Sequence, residues 1–106
     1  MDTYSVNYSR EALDDLENIY AYIASVLLAP ENAEKQINRI RNVVRALNFM
    51  PSRYPLVDWE PWKSRGLRKV PVDNYVIFYI TDDDSCAVNV IRIFYGGRDV
   101  TNMFGT

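Results

Sequence analysis

Leu67-Arg-Lys-Val-Pro-Val72, Asp73-Asn74, Tyr75-Val-Ile-Phe-Tyr-Ile-Thr81, Asp82-Asp-Asp-Ser85 and Ala87-Val-Asn-Val-Ile-Arg-Ile-Phe-Tyr95 make an almost unbroken stretch. It consists of three runs rich in branched and aromatic residues, set apart by two clusters of turn formers. Such side chains suit a pleated, half-buried surface. Asp73-Asn74 is a pair that a two-residue hairpin turn accepts. The middle run is apolar on both faces from Tyr75 to Ile80, so it is expected as the central strand. Gly96-Gly97 breaks the third run. The stretch predicts a three-strand meander over 67–72, 75–81 and 87–95. Three adjacent aspartates at 82–84 lack the alternating ligands and distal glutamate of a calcium loop, so no metal site is expected there.

Upstream, residues 51–65 hold three prolines and two tryptophans and show neither helical nor strand period. A long ordered loop is expected, with Trp59 and Trp62 as its packing anchors. Before it, Ala33, Ile37, Ile40, Val44 and Leu47 recur at helical spacing, as do Leu13, Leu16, Tyr20, Ile23 and Leu27. Pro30 ends the first helix and starts the second. Ser9 is a suitable N-cap, with Glu11, Asp14 and Asp15 near the positive end of the first helix. Tyr4 to Tyr8 alternates at period two, as a half-buried strand does. The order β-α-α-β-β-β predicts an α+β fold: a two-layer sandwich with an N-terminal helical hairpin packed on a mostly antiparallel four-stranded sheet.

At 106 residues, with 48% hydrophobic and 25% charged positions, the chain is expected as one soluble globular domain over 1–106 rather than a disordered segment. It holds no histidine, which excludes Ser-His, Cys-His and His-metal mechanisms within the chain. Acid–base work must fall to carboxylates, Tyr, Lys or Arg. Asp58 and Glu60 are the only carboxylates available as bases within 37–72. The lone Cys86 fits a reducing compartment. No apolar run approaches a membrane span, and no cofactor motif is present. The net charge of −2 hides a segregation: residues 1–36 carry −5, residues 37–72 carry +6 and residues 73–106 carry −3. A central basic block of this kind can face an anionic partner, although Arg39, Arg41 and Arg45 also read as the wet face of a helix.

Three motifs combine with that order: Arg65-Gly-Leu-Arg-Lys-Val70, Asn74-Tyr-Val-Ile-Phe-Tyr79 and Val90-Ile-Arg-Ile-Phe-Tyr-Gly-Gly-Arg-Asp99. Together they resemble the RelE/ParE superfamily of toxins from bacterial type II toxin–antitoxin and plasmid-stabilisation modules. The resemblance covers nearly the whole chain, from Tyr4 to Phe104. It implies a cytoplasmic, growth-inhibiting toxin with a cognate antitoxin as partner. The two can form a hetero-oligomer that binds operator DNA through the antitoxin. One branch of the superfamily cuts messenger RNA on the ribosome without a metal; another binds DNA gyrase and stalls replication. No cofactor is implied for either.

For an endoribonuclease of that first branch with a reduced catalytic set, the candidate catalytic residues are Lys69, Arg68, Arg98 and Tyr95. Arg65, Arg92 and Tyr79 are the candidate substrate contacts. Cations around the scissile phosphate would supply the electrostatic part of such catalysis. Each candidate also has a structural reading. Arg68 and Lys69 are adjacent in a strand, so they point to opposite faces. Arg92 can pair with Asp99 or Asp73. Tyr79 and Tyr95 can be half-buried core residues. The chain also departs from the nuclease pattern. Val76 stands where a phosphate-binding arginine is expected, Tyr95 where some members have histidine, and Phe104 where others have tyrosine. Those departures favour the gyrase-binding alternative, or an inactive toxin fold kept as an antitoxin partner. Leu27, Leu28, Met50, Val57 and Met103 form an apolar surplus that an antitoxin could cover. By elimination, the active surface is expected on the sheet face opposite the helices, bounded by 67–72, 87–95 and Gly96-Gly97-Arg98.

Overall fold

A computed structural model describes residues 3–97, 99, 100 and 104. Strand β1 (Ser5–Tyr8) leads into helix α1 (Arg10–Ala21), which continues through a π-helical turn, Tyr22–Val26. Helix α2 (Pro30–Arg45) follows, then short 3-10 turns at Ala46–Asn48 and Pro51–Arg53, and then β2 (Arg68–Val72), β3 (Tyr75–Asp82) and β4 (Ala87–Tyr95). The four strands form one sheet in the order β1-β4-β3-β2, with β1 parallel to β4 and the other pairs antiparallel. The expected two-layer α+β fold is the observed one. The sequence pattern had left open where the first strand sits. It lies beside β4, because α1 and α2 return the chain across one sheet face before the meander begins. Among the described residues no helix is long and apolar enough to cross a membrane.

Local chemistry explains the boundaries. Ser9 Oγ accepts from Ala12 N–H at 3.0 Å, capping α1 as expected. Pro30 opens α2 without losing a helical bond, since its N–H would be unpartnered there anyway. Asp73 takes the left-handed conformation (φ 54) that the β2–β3 turn needs, and its carboxylate binds Arg39 Nε at 2.7 Å.

The core is double-sided. On the helix face, Leu16, Ile37, Ile40, Val44 and Leu47 meet Val70, Ile77, Tyr79, Val88 and Val90. The α2 stripe is thus the expected one. The α1 stripe is corrected: Leu16 and Ile23 are buried, but Leu13, Tyr20 and Leu27 are 47%, 42% and 55% exposed. Ala12, Asp15 and Ile19 take their place facing inward. The helix is rotated because an acid, Asp15, is drawn onto β4. Past Ala21 the π-turn then shifts the helical phase, with Leu27 N–H donating to Tyr22 O at 3.1 Å.

The opposite sheet face is also covered. Val57, Leu67, Phe78 and Phe94 form a second buried cluster, closed by Trp59, Trp62 and Phe104. Trp59 meets Phe78 edge-on at 6.1 Å and Trp62 lies 5.3 Å from Phe104. The tryptophans are packing anchors, as expected. Val57, however, is fully buried and is not surplus surface, whereas Leu27, Leu28 and Met50 are 55%, 81% and 59% exposed. Met103 lies outside the described residues. The elimination that reserved the outer face for a partner fails at its centre, because the 54–67 segment fills it. Val57 N–H to Leu67 O at 2.9 Å closes that segment on itself, and Lys69 N–H to Pro55 O at 3.2 Å pins it to β2.

Candidate functional site

β1 pairs with β4 only as far as Tyr8 opposite Val90, yet β4 runs on to Tyr95. Its edge beyond Val90 would leave buried polar backbone unpaired, which costs roughly 1–3 kcal/mol per group. Ser9 meets part of that need: its N–H donates to Val90 O at 2.9 Å and its hydroxyl to Ile91 O at 2.7 Å. Asp15, nearly two helical turns further, accepts the Ile93 N–H at 2.9 Å. The same carboxylate accepts from Arg92 Nε at 2.8 Å and Nη2 at 2.9 Å. The Arg92 guanidinium also stacks 4.3 Å above the Phe94 ring. The bonds to Asp15 raise its pKa further. Arg92 therefore spends its forked donors on α1. Of the acids weighed for it, Asp73 belongs to Arg39, and the partner is Asp15.

The other candidates are dispersed. Arg68 Nη1 donates to the Tyr54 carbonyl at 2.6 Å, on the helix face. Opposite it, Tyr79 is fully buried and donates its hydroxyl to Pro51 O at 2.5 Å. Burial pushes that phenol up to about 12, so Tyr79 is a core residue that reaches no solvent-borne substrate. Lys69 pairs with Phe78 and so lies on the outer face, opposite to Arg68 as expected. Arg65 is exposed, its guanidinium 4.9 Å from the Trp62 ring. Tyr95 sits at the far end of the sheet, 51% exposed, edge-on to Tyr75 at 5.9 Å. Arg98 lies outside the described residues. Val76 stands on the outer face among the second cluster's neighbours, with no charge to offer.

The basic block is partly consumed by structure. Arg39 binds Asp73, Arg53 donates to the carbonyls of Phe49, Met50 and Ala46, and Arg68 holds Tyr54. Arg41, Arg45, Lys63, Arg65 and Lys69 have no carboxylate within salt-bridge distance among the described residues. Arg41 and Arg45 edge a shallow groove of ≈ 290 Å³ floored by Val6, Leu13, Leu16 and Val44. A larger groove of ≈ 780 Å³ lies between the end of α1 and the β3–β4 hairpin, with Tyr22, Leu27, Tyr75 and Tyr95 on its walls. Of the candidates among the described residues, only Arg92 and Tyr95 reach it. The pattern of residues had not pointed to this groove. The one available signal was Asp15, an acid at a helix position whose spacing to Ala12, Leu16 and Ile19 is that of a core face.

Residues 6–100 match the family model described as the ParE toxin of the parDE type II toxin–antitoxin system. No curated protein sequence matches. Among solved structures, the chromosomal ParDE system of P. aeruginosa aligns at 23% identity, covering 88% of this chain and 96% of that one, with a TM-score of 0.72. The RelBE2 toxin–antitoxin complex of Mycobacterium tuberculosis aligns at 18% identity over 88% and 98%, with a TM-score of 0.65. A free E. coli RelE double mutant aligns at 13% over 90% and 85%, with a TM-score of 0.62. At these identities the structural likeness speaks for the fold.

Proposed function

Because the chain belongs to the ParE toxin family of type II toxin–antitoxin systems, we propose that it is a non-catalytic toxin that arrests growth by engaging a protein. DNA gyrase is the target that the ParE resemblance implies, and a cognate antitoxin silences the toxin. The observation that carries this reading is the dispersal of the cations and phenols needed for RNA cleavage. Arg92 is held by Asp15, Arg68 by a carbonyl, and Tyr79 is buried. Lys69 and Arg65 remain on the outer rim, with Tyr95 at the other end of the sheet. A phosphate in transit to a pentavalent state needs several donors converging on it. Two rim cations instead suit recognition of an acidic surface.

We assign Arg65 and Lys69, with Arg98 beyond the described residues, to the antitoxin, whose carboxylates would cover them. The exposed Leu27, Leu28 and Met50 offer it apolar anchors. Operator binding by a toxin–antitoxin hetero-oligomer would then run through the antitoxin. The test is expression of the chain alone in bacteria, following labelled thymidine and methionine incorporation. Early loss of DNA synthesis with intact messages supports the reading. Early loss of translation with fragmented messages selects a ribosome-dependent nuclease and overturns it. Unaffected growth selects a toxin fold kept only as an antitoxin partner.

A further inference from the structure

The sheet has two edges, and the chain treats them differently. At β2, Leu56 bridges to Arg68, Lys69 N–H donates to Pro55 O, and Pro71 has no N–H to offer. At β1 the cover is one bond, from Tyr4 N–H to Asn48 O at 2.8 Å. Ser5 and Ser9 N–H donate to Cys86 O and Val90 O, both toward β4. Polar groups alternate in direction along a strand, so the N–H and carbonyl of Val6 and of Tyr8 point away from β4. Among the described residues nothing pairs with them on that side. Such an edge is a template for another strand. Beside it lies the ≈ 290 Å³ groove, which the side chains of Val6 and Tyr8 enter from β1, Leu13 and Leu16 from α1, and Arg41, Val44 and Arg45 from α2. Arg41 and Arg45 stand one turn apart, a like-charge spacing that a helix disfavours. Both are exposed, and neither has a carboxylate within salt-bridge distance among the described residues. Both also act on the Tyr8 phenol, which burial pushes above its ordinary pKa and the two guanidiniums draw back. Three polar groups thus converge on a groove whose described lining holds no acid.

We infer that β1 accepts an extended acidic segment of a partner protein as a fifth strand, which lays a carboxylate between Arg41 and Arg45 and an aliphatic side chain on Val6, Leu13 and Val44. Main-chain bonds to Val6 and Tyr8 supply affinity, and the two chemistries of the groove select side chains. Alternate residues of a strand share a face, so the acid and the aliphatic residue stand two apart, as in Glu-x-Leu. Charge decides against a basic segment. It also decides against a second copy offering its own β1, because Ser5–Tyr8 carries no acid and would bring two more arginines to the same spot. Lys69 lies on the opposite edge strand, roughly 14 Å away at the usual strand spacing. This contact is therefore separate from the outer rim, and it does not rest on the toxin reading. Two outward-facing residues bury little area, so the isolated segment binds weakly.

The probe is a blocked Thr-Glu-Thr-Leu-Thr peptide at millimolar concentration, against the same peptide with Gln or Lys for Glu, added to the full chain. Amide hydrogen exchange is read residue by residue. The Glu peptide should slow exchange at Val6 and Tyr8 by roughly tenfold, the Gln peptide about tenfold less effectively, and the Lys peptide not at all. Ser5 and Asn7, whose amides already face β4, should not change. The Arg41→Gln/Arg45→Gln variant should be protected equally by the Glu and Gln peptides at an unchanged unfolding midpoint. Should that midpoint fall, the unmodified chain in high salt takes its place, since screening should erase the same difference. Equal protection by the Glu and Gln peptides at low salt, protection at β2 or Tyr95 instead, no protection at Val6 and Tyr8, or protection that grows with toxin concentration alone (a second copy as occupant) would each overturn the inference. Growth arrest by the unmodified chain is scored separately and bears on the toxin reading alone.

Discussion

Removing the Asp15 carboxylate should unfold the protein more readily than any surface change, because one side chain closes a strand edge and holds a guanidinium. Asp15 accepts three hydrogen bonds, from Ile93 N–H and from two nitrogens of Arg92. In Asp15→Ala the Ile93 amide is left buried and unpaired, costing roughly 1–3 kcal/mol. Breaking a fully buried ion pair costs about 3–5 kcal/mol. The Arg92 side chain is 26% exposed, however, against 10% for Asp15, so water can recover the cation. We therefore count only about 1 kcal/mol for the lost pairing. The sum is roughly 2–4 kcal/mol, which in a domain of this size lowers the thermal midpoint by about 10–25 °C. Asp15→Asn keeps an acceptor for the amide and should cost about half as much. Arg92→Met removes the cation but preserves packing on Phe94, and should cost about 1 kcal/mol. The Asp15→Ala/Arg92→Met double variant should be more stable than additivity requires, since both single changes break the same pair. Urea and thermal unfolding of the four variants measure all of this. If Asp15→Ala stays within about 0.5 kcal/mol of the parent while Arg92→Met abolishes toxicity at an unchanged midpoint, Arg92 is a free functional cation and our reading of the β4 edge is wrong.

Four further outcomes follow from the same geometry. Tyr79→Phe loses a buried hydrogen bond to Pro51 O and should cost about 1 kcal/mol while leaving toxicity intact; loss of toxicity at normal stability would return Tyr79 to the site. The phenol of Tyr79 is raised from 10.0 to about 12, so its contribution to stability is complete below pH 10 and is lost as pH climbs toward 12. Alkaline unfolding should therefore begin in that window and move higher in Tyr79→Phe, as followed by circular dichroism. Lys69→Ala and Arg65→Glu should weaken antitoxin capture roughly tenfold in calorimetry with no change in unfolding midpoint; a falling midpoint would make them structural. Gly97→Ala should displace the Tyr95 ring, because an added Cβ would lie 2.8 Å from Tyr95 Cε2, and the Tyr95 ring resonances would report it. Unshifted Tyr95 signals would contradict that contact.

The meander and the α2 stripe were legible because most of each obeys one period: Val70, Ile77 and Val90 alternate with outward neighbours, and Ile37, Ile40, Val44 and Leu47 repeat at helical spacing. The exception is the register shift in β4, which puts Val90 and Ile93, three residues apart, in the same core. The 54–67 segment was not, because no period governs a chain held by two tryptophans and a few backbone bonds. Its role as a cover for the outer sheet face follows from Val57 and Leu67 sinking between Phe78 and Phe94, which only the tertiary structure brings together. Likewise α1 was read one face too far round. Apolarity favoured Leu13 and Tyr20, but the decisive residue is the polar one: Asp15 is turned inward by an amide that β1 is too short to reach.

That point governs how the function is read as well. In this fold a basic residue becomes available to a ligand only when the scaffold has no use for it, and the scaffold's uses are set by strand ends and turns. β1 stops at Tyr8, so β4 needs Asp15, and Asp15 in turn takes Arg92. The Asp73 turn takes Arg39, and the chain's exit from α2 takes Arg53 and Arg68. Among the charges outside salt bridges in the described residues, Arg65 and Lys69 lie near β2, Arg41 and Arg45 edge the small groove, and the acids Glu11 and Asp14 are exposed on α1. A catalytic centre for phosphate chemistry would gather its cations on one spot. A protein that meets a partner's acidic surface needs no such convergence and can leave its free cations apart, as these are.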